Sequence, residues 1–112
     1  MEIIETLNQY YFFSHIEETP AYFFIYTKAN ILVRYGQKDY HYKVSFKINK
    51  KNFNLKRIQP KLIFDKKKGD YDYVFIYTDR DEYGKKCRSI NEAIKYITNF
   101  FKQGERNLEW NI

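Results

Sequence analysis

Four carboxylates and a lysine crowd one short region: Asp70, Asp72, Asp79 and Glu82, with Lys85 close behind. In a metal-dependent nuclease, paired carboxylates hold magnesium while a lysine steadies the scissile phosphate. The same residue types fill any hydrophilic turn, and that plainer reading is preferred here. Asp79, Asp81 and Gly84 match positions one, three and six of a calcium loop. Position five is Tyr83 and position twelve is Ile90, where an oxygen ligand and a bidentate glutamate are required, so the calcium reading fails. His15 and His41 lie far apart and Cys87 has no histidine near it, which leaves neither a zinc quartet nor a Cys-His nucleophile. The four glycines stand at 36, 69, 84 and 104, too scattered for a phosphate-cradling loop. The expectation is a non-enzymatic protein that uses no metal and no cofactor.

Charge placement carries more. Phe, Tyr, Met, Ile, Asn and Lys make up 60 of the 112 residues, a bias toward AT-rich codons that inflates lysine and aromatics without functional demand. Such a bias does not clear acids from a long block. Residues 1–27 contain four acids and no Lys or Arg; residues 28–68 contain thirteen bases against Asp39 and Asp65; residues 69–112 are nearly balanced. The middle block reads as an electrostatic footprint for a polyanion. Lysines keeping a strand-rich surface soluble are the plain alternative.

These residues must be positioned by local structure, and the hydrophobic period shows how. EIIETLNQYYFFSHI has helical spacing and predicts a first helix over about 2–14, although YYFF could equally begin a strand. From Tyr22 the period becomes two. AYFFIYTK and NILVRY read as strands separated by a turn at Lys28-Ala29-Asn30, and GQKD as a hairpin loop. YHYKVSFKI alternates, with Tyr40, Tyr42, Val44, Phe46 and Ile48 on a buried face and His41, Lys43, Ser45 and Lys47 on a basic one. NKKN is a turn, and FNLKRI a short strand cut off by Pro60. KLIFD and YDYVFIYT flank a second hairpin loop, KKKGD. Ser89 and Glu92 form a capping box for a last helix with Ile90, Ala93, Ile94, Ile97 and Phe101 on one face and Gly104 as its C-cap. Trp110 in the tail is expected to cover the core, with an added edge strand or a partner contact as the alternatives. The fold expected over 1–112 is one α+β domain: an N-terminal helix, an antiparallel sheet of five or six strands, and a C-terminal helix packed on the sheet. One lone cysteine, no membrane-length apolar run and an acidic start unlike a signal peptide lead to an expected soluble, cytoplasmic protein.

Residues 65–97 form a basic turn, an aromatic strand, a loop, a Gly-Lys-Lys-x-Arg-Ser step and a helix reaching Tyr-Ile. This run resembles the second half of methyl-CpG-binding domains, and is similar in plan to the plant AP2 domain and the arm-binding domains of phage integrases. Gly84, Lys85, Arg88, Ser89 and Tyr96 carry the match. The resemblance implies a sheet-plus-helix DNA-binding scaffold in which Arg88 stands where that family reads guanine by a bidentate contact.

Apart from the resemblance, the bases suggest a path for nucleic acid. Lys43, Lys47, Lys50, Lys51, Lys56 and Arg57 would neutralise phosphates along the sheet, Lys66, Lys67 and Lys68 would grip through a loop, and Lys85, Lys86 and Arg88 would extend the track. Tyr83 could stack on bases of a single strand. The expected partner is DNA or RNA. Two other readings stay open: a phage or mobile-element inhibitor, anti-CRISPR-like, that binds a host nucleic-acid-processing protein, and a structural homodimer pairing acidic helix with basic sheet.

Overall fold

The computed structural model describes residues 2–78, 84–103 and 108–110. Its elements run α1 (Glu2–Asn8), β1 (Phe13–Glu18), β2 (Tyr22–Tyr35), β3 (Lys38–Asn49), β4 (Leu55–Asp65), β5 (Asp70–Thr78), α2 (Ile90–Lys102) and β6 (Leu108–Trp110). The sheet is antiparallel in the order β1-β2-β3-β4-β5, and β6 adds to β2 beyond the end of β1. This is an α+β fold dominated by its sheet. No helix among the described residues is long and apolar enough to cross a membrane.

Pleat parity decides what the sheet buries. Phe23 and Ile25 on β2, Val44, Phe46 and Ile48 on β3 and Leu55 on β4 are all buried, and Phe46 meets Phe100 and Phe101 of α2 edge-on. The helix supplies its stripe of Ala93, Ile94, Ile97, Phe100 and Phe101 to the same layer. Ile3 and Leu7 of α1 and the stacked pair Phe12 and Phe101 complete the core. Each fully buried Phe, Leu or Ile is worth roughly 1.5–3 kcal/mol of transfer free energy. The α2 start is capped as its sequence predicts: the Ser89 hydroxyl accepts the Glu92 amide at 3.1 Å, and the Glu92 carboxylate accepts the Arg88 amide at 3.1 Å. Gly104 lies outside the described residues, and the observed C-cap is Gln103.

Three expectations are corrected. The first helix stops at Asn8, not near 14, because Phe13–Glu18 pairs with Phe23–Thr27, and Tyr10, Tyr11 and Phe12 make the turn between the two elements, with the Phe13 amide donating to the Tyr10 carbonyl at 3.2 Å. Lys28-Ala29-Asn30 is not a turn between two strands. β2 runs unbroken through it with a bulge, in which Thr27, Lys28 and Ala29 stand against Val44 alone. The fully buried Thr27 hydroxyl donates to the Val44 carbonyl at 2.7 Å and accepts the Ala29 amide at 3.3 Å, standing in for the ladder bonds lost at the bulge. Pro60 does not end a strand either. β3 pairs with β4 only from Leu55 to Arg57, so Pro60 sits in β4 where that side has no ladder to break.

Beyond Arg57 the β4-β5 hairpin leaves β3 and lays Tyr73 and Phe75 against Tyr40 and Tyr42, with ring centres 4.8 and 5.1 Å apart. Both expected hairpin loops form. Gly36 and Gly69 take the positive φ values, 61° and 65°, that these turns require. In the tail, Trp110 both extends the sheet beside Ala29 and rests on Phe101 and Tyr11.

Candidate nucleic-acid interface

The pleat row opposite the core belongs to the sheet face that turns away from α2. On β2 it presents Tyr22, Phe24 and Tyr26; across the ladder on β3 stand Lys47 and Ser45, with Lys43 farther along; Lys56 of β4 is paired with Lys47. From β1, His15 stacks on Tyr26 with ring centres 4.6 Å apart. From β5, Tyr77 reaches over the face to Phe24, and its hydroxyl lies 3.3 Å from that of Ser45. Ser45, only 2% exposed, is the floor of this surface.

Lys47 is held at its centre. Its ammonium lies 4.4 Å from the Tyr22 ring centre and 5.2 Å from that of Tyr77, a cation–π arrangement on both sides. The Tyr26 hydroxyl donates to Glu17 at 3.2 Å. Burial, then the neighbouring Tyr77 and the Glu17 carboxylate, push its pKa up to about 12. Tyr26 therefore stays neutral, a hydrogen-bonding aromatic plate.

The basic block divides by what each cation meets. Arg34 pairs with Asp39, Lys38 with Asp70, Lys50 with Glu18 and Lys68 with Asp72. Lys43, Lys47 and Lys56 have no carboxylate partner among the described residues. Lys47 and Lys56 are moreover directly opposite in the ladder, where like charges destabilise a sheet.

The expected binding residues do not form one continuous track. Lys43, Lys47 and Lys56 share the open face. Arg57 points to the other side, its guanidinium 4.8 Å from the Phe100 ring centre. Lys50 and Lys51 sit in the β3-β4 turn, where the Asn49 side chain accepts the Lys51 amide at 2.8 Å. Lys85 joins this same end by exchanging backbone hydrogen bonds with Leu55, at 2.8 and 3.0 Å, while its ammonium lies over the Tyr96 ring. Lys86 and Arg88 are exposed on the approach to α2. Lys66, Lys67 and Lys68 occupy the opposite tip of the β4-β5 hairpin, about 30 Å from Lys56 at 3.3 Å per strand residue. There the Asp65 carboxylate accepts the Lys67 and Lys68 amides. Tyr83 lies outside the described residues, as do Asp79, Asp81 and Glu82.

Tyr22, Phe24, Tyr26, His15 and Tyr77 are the site residues that sequence reasoning missed. For Tyr22, Phe24 and Tyr26 the signal was parity within AYFFIYTK, but both rows of that strand are apolar, and only α2 decides which one is covered; His15 and Tyr77 reach the face through the pairing of β1 and β5, which no local pattern announces.

The groups tested for chemistry have structural partners. The Cys87 thiol is buried, its pKa raised first by that burial and then by Glu92. His41 pairs with Glu109 at 2.9 Å. Asp72 accepts from the Lys68 ammonium at 2.9 Å, and that hydrogen bond, with others from the Tyr73 amide and the Tyr40 hydroxyl, holds its carboxyl below the usual range. Among the described residues no three His, Cys, Asp or Glu side chains gather as metal ligands would. Comparison of the chain with protein-family models, with curated proteins and with solved structures finds no match.

Proposed function

We propose that this protein binds nucleic acid on the open sheet face, and that its preferred target is single stranded. The observation that carries the reading is the opposed pair Lys47 and Lys56, set among Tyr22, Phe24, Tyr26 and Tyr77. Two cations placed face to face with no carboxylate partner among the described residues, on a half-buried aromatic surface, are costly to the free protein and are relieved by an anion. A single strand supplies what the face can use: phosphates for Lys43, Lys47 and Lys56, and unpaired bases whose flat faces stack on the aromatic rings. A duplex offers phosphates but keeps its bases stacked inside. Neither role requires bond-breaking chemistry.

Fluorescence anisotropy with labelled single-stranded DNA, single-stranded RNA and duplex of equal length tests the reading. Single strands are expected to bind more tightly, with log K falling against log salt at about −0.7 per phosphate contact. No binding to any of the three at low salt overturns it. Salt-independent capture of a protein partner in place of oligonucleotide would favour the inhibitor reading instead.

A further inference from the structure

β5 ends the strand order, so one of its edges has no neighbour among the described residues. Soluble proteins usually blunt such an edge with brevity, a bulge, a proline or a charge. The opposite edge strand, β1, does so: it has six residues, a register shift between Phe13 and His15, and Glu17 and Glu18. β5 has nine residues, Asp70–Thr78, paired with β4 without any shift. Its only charges, Asp70 and Asp72, are each met by a lysine of the same chain, Lys38 at 3.7 Å and Lys68 at 2.9 Å. The apolar surface also concentrates here. Of eight large apolar side chains exposed among the described residues, five are on the β4-β5 hairpin: Ile63, Phe64, Tyr71, Val74 and Ile76.

We propose that β5 is the contact of a two-fold symmetric homodimer, in which it pairs antiparallel with β5 of a second copy about Val74. Val74 is the middle of the strand, so this register alone engages all nine residues. Asp70 then faces Thr78, Tyr71 faces Tyr77, Asp72 faces Ile76 and Tyr73 faces Phe75, each across the axis, and no like charges oppose. Centring the pair on Asp72 would set that carboxylate against its own copy, which destabilises a ladder. Centring it on Ile76 would leave Asp70 and Asp72 outside the paired stretch of β5. The contact is isologous and closes at two copies. Because the axis stands normal to the sheet, both open faces point the same way. The inference does not depend on nucleic-acid binding, but it would lengthen the face available to a strand.

Sedimentation equilibrium of the full chain tests it, together with Val74→Cys. The expected mass rises with concentration to twice 13.8 kDa. Val74→Cys should form a disulfide-linked dimer on mild oxidation, because antiparallel partners bring the two Cα atoms to about 4.5–5.5 Å, within disulfide reach. Ile63→Cys, equally exposed but on β4, should not. Val74→Lys should give a monomer with an unchanged far-ultraviolet circular dichroism spectrum. A 13.8 kDa monomer at every concentration overturns the proposal, and so does a dimer that Val74→Cys fails to cross-link.

Discussion

The Lys47 ammonium stands 4.4 Å from the centre of the Tyr22 ring, on the sheet face opposite the core. That contact fixes a long, flexible cation beside an aromatic plate, so a phosphate and a base can be met by neighbouring groups without ordering them anew. Lys47→Ala is expected to flatten the salt dependence of single-strand binding by about 0.7, the share of one phosphate. Tyr22→Ala should cost about 1–3 kcal/mol of affinity, the loss of one stacked base, while leaving that slope in place. Titrations of both variants at several salt concentrations separate the two roles.

The tip lysines should behave differently. Lys66, Lys67 and Lys68 lie far beyond the roughly 8 Å screening length at physiological ionic strength when measured from Lys56. Replacing all three with Ala should weaken binding of a short oligonucleotide at low salt only. An equal loss at physiological salt would place the tip inside the contact.

Thr27→Val tests the bulge. The substitution keeps the shape of the side chain but removes the hydroxyl that donates to the Val44 carbonyl and accepts the Ala29 amide, leaving buried backbone groups unpaired. Urea denaturation should show a loss of about 1–3 kcal/mol. No change would mean that the ladder closes there without the hydroxyl.

Ser89→Ala should cost about 1 kcal/mol through loss of the cap at the Glu92 amide. The expected thermal shift is downward, with oligonucleotide affinity unchanged at a temperature where both proteins are folded, because the cap lies on the helical side of the sheet.

Alkaline titration reports on Tyr26. Its pKa is raised from 10.0 to about 12 in the fold, so the fold favours the neutral hydroxyl. That contribution to stability is whole below pH 10.0, the unfolded value, and is lost as pH rises through about 12. Tyr26→Phe should remove this part of the alkaline decline. In wild-type protein, tyrosinate absorbance should contain a component that titrates well above the ordinary range, which Tyr26→Phe abolishes.

The sequence made the local grammar legible where one period or one residue type dominated. The alternation from Tyr40 to Ile48, the Ser89 cap and the glycine turns at 36 and 69 form as their chemistry requires. It was less legible where tertiary pairing overrode a local signal. Phe13 to Glu18 joined the sheet because β2 was available as a neighbour, Thr27 turned an apparent break into a bulge, and Pro60 was tolerated because β3 and β4 part before it. The site followed the same division. Charge pattern named Lys43, Lys47, Lys50, Lys51, Lys56 and Arg57 together along the sheet and did not separate them; Arg57 faces Phe100, a matter of pleat parity in a strand whose two rows both carry bases. The aromatic half of the face could not be assigned from AYFFIYTK, since nothing in that run says which row α2 will cover.

The most direct measurement is a two-dimensional ¹H–¹⁵N NMR titration of the labelled protein with a short single-stranded oligonucleotide. Amide shifts are expected to cluster on Tyr22, Phe24, Tyr26, Ser45, Lys47, Lys56 and Tyr77. Shifts confined to α2 or to the Lys66–Lys68 tip, or no shifts at saturating oligonucleotide, would contradict the proposed binding face.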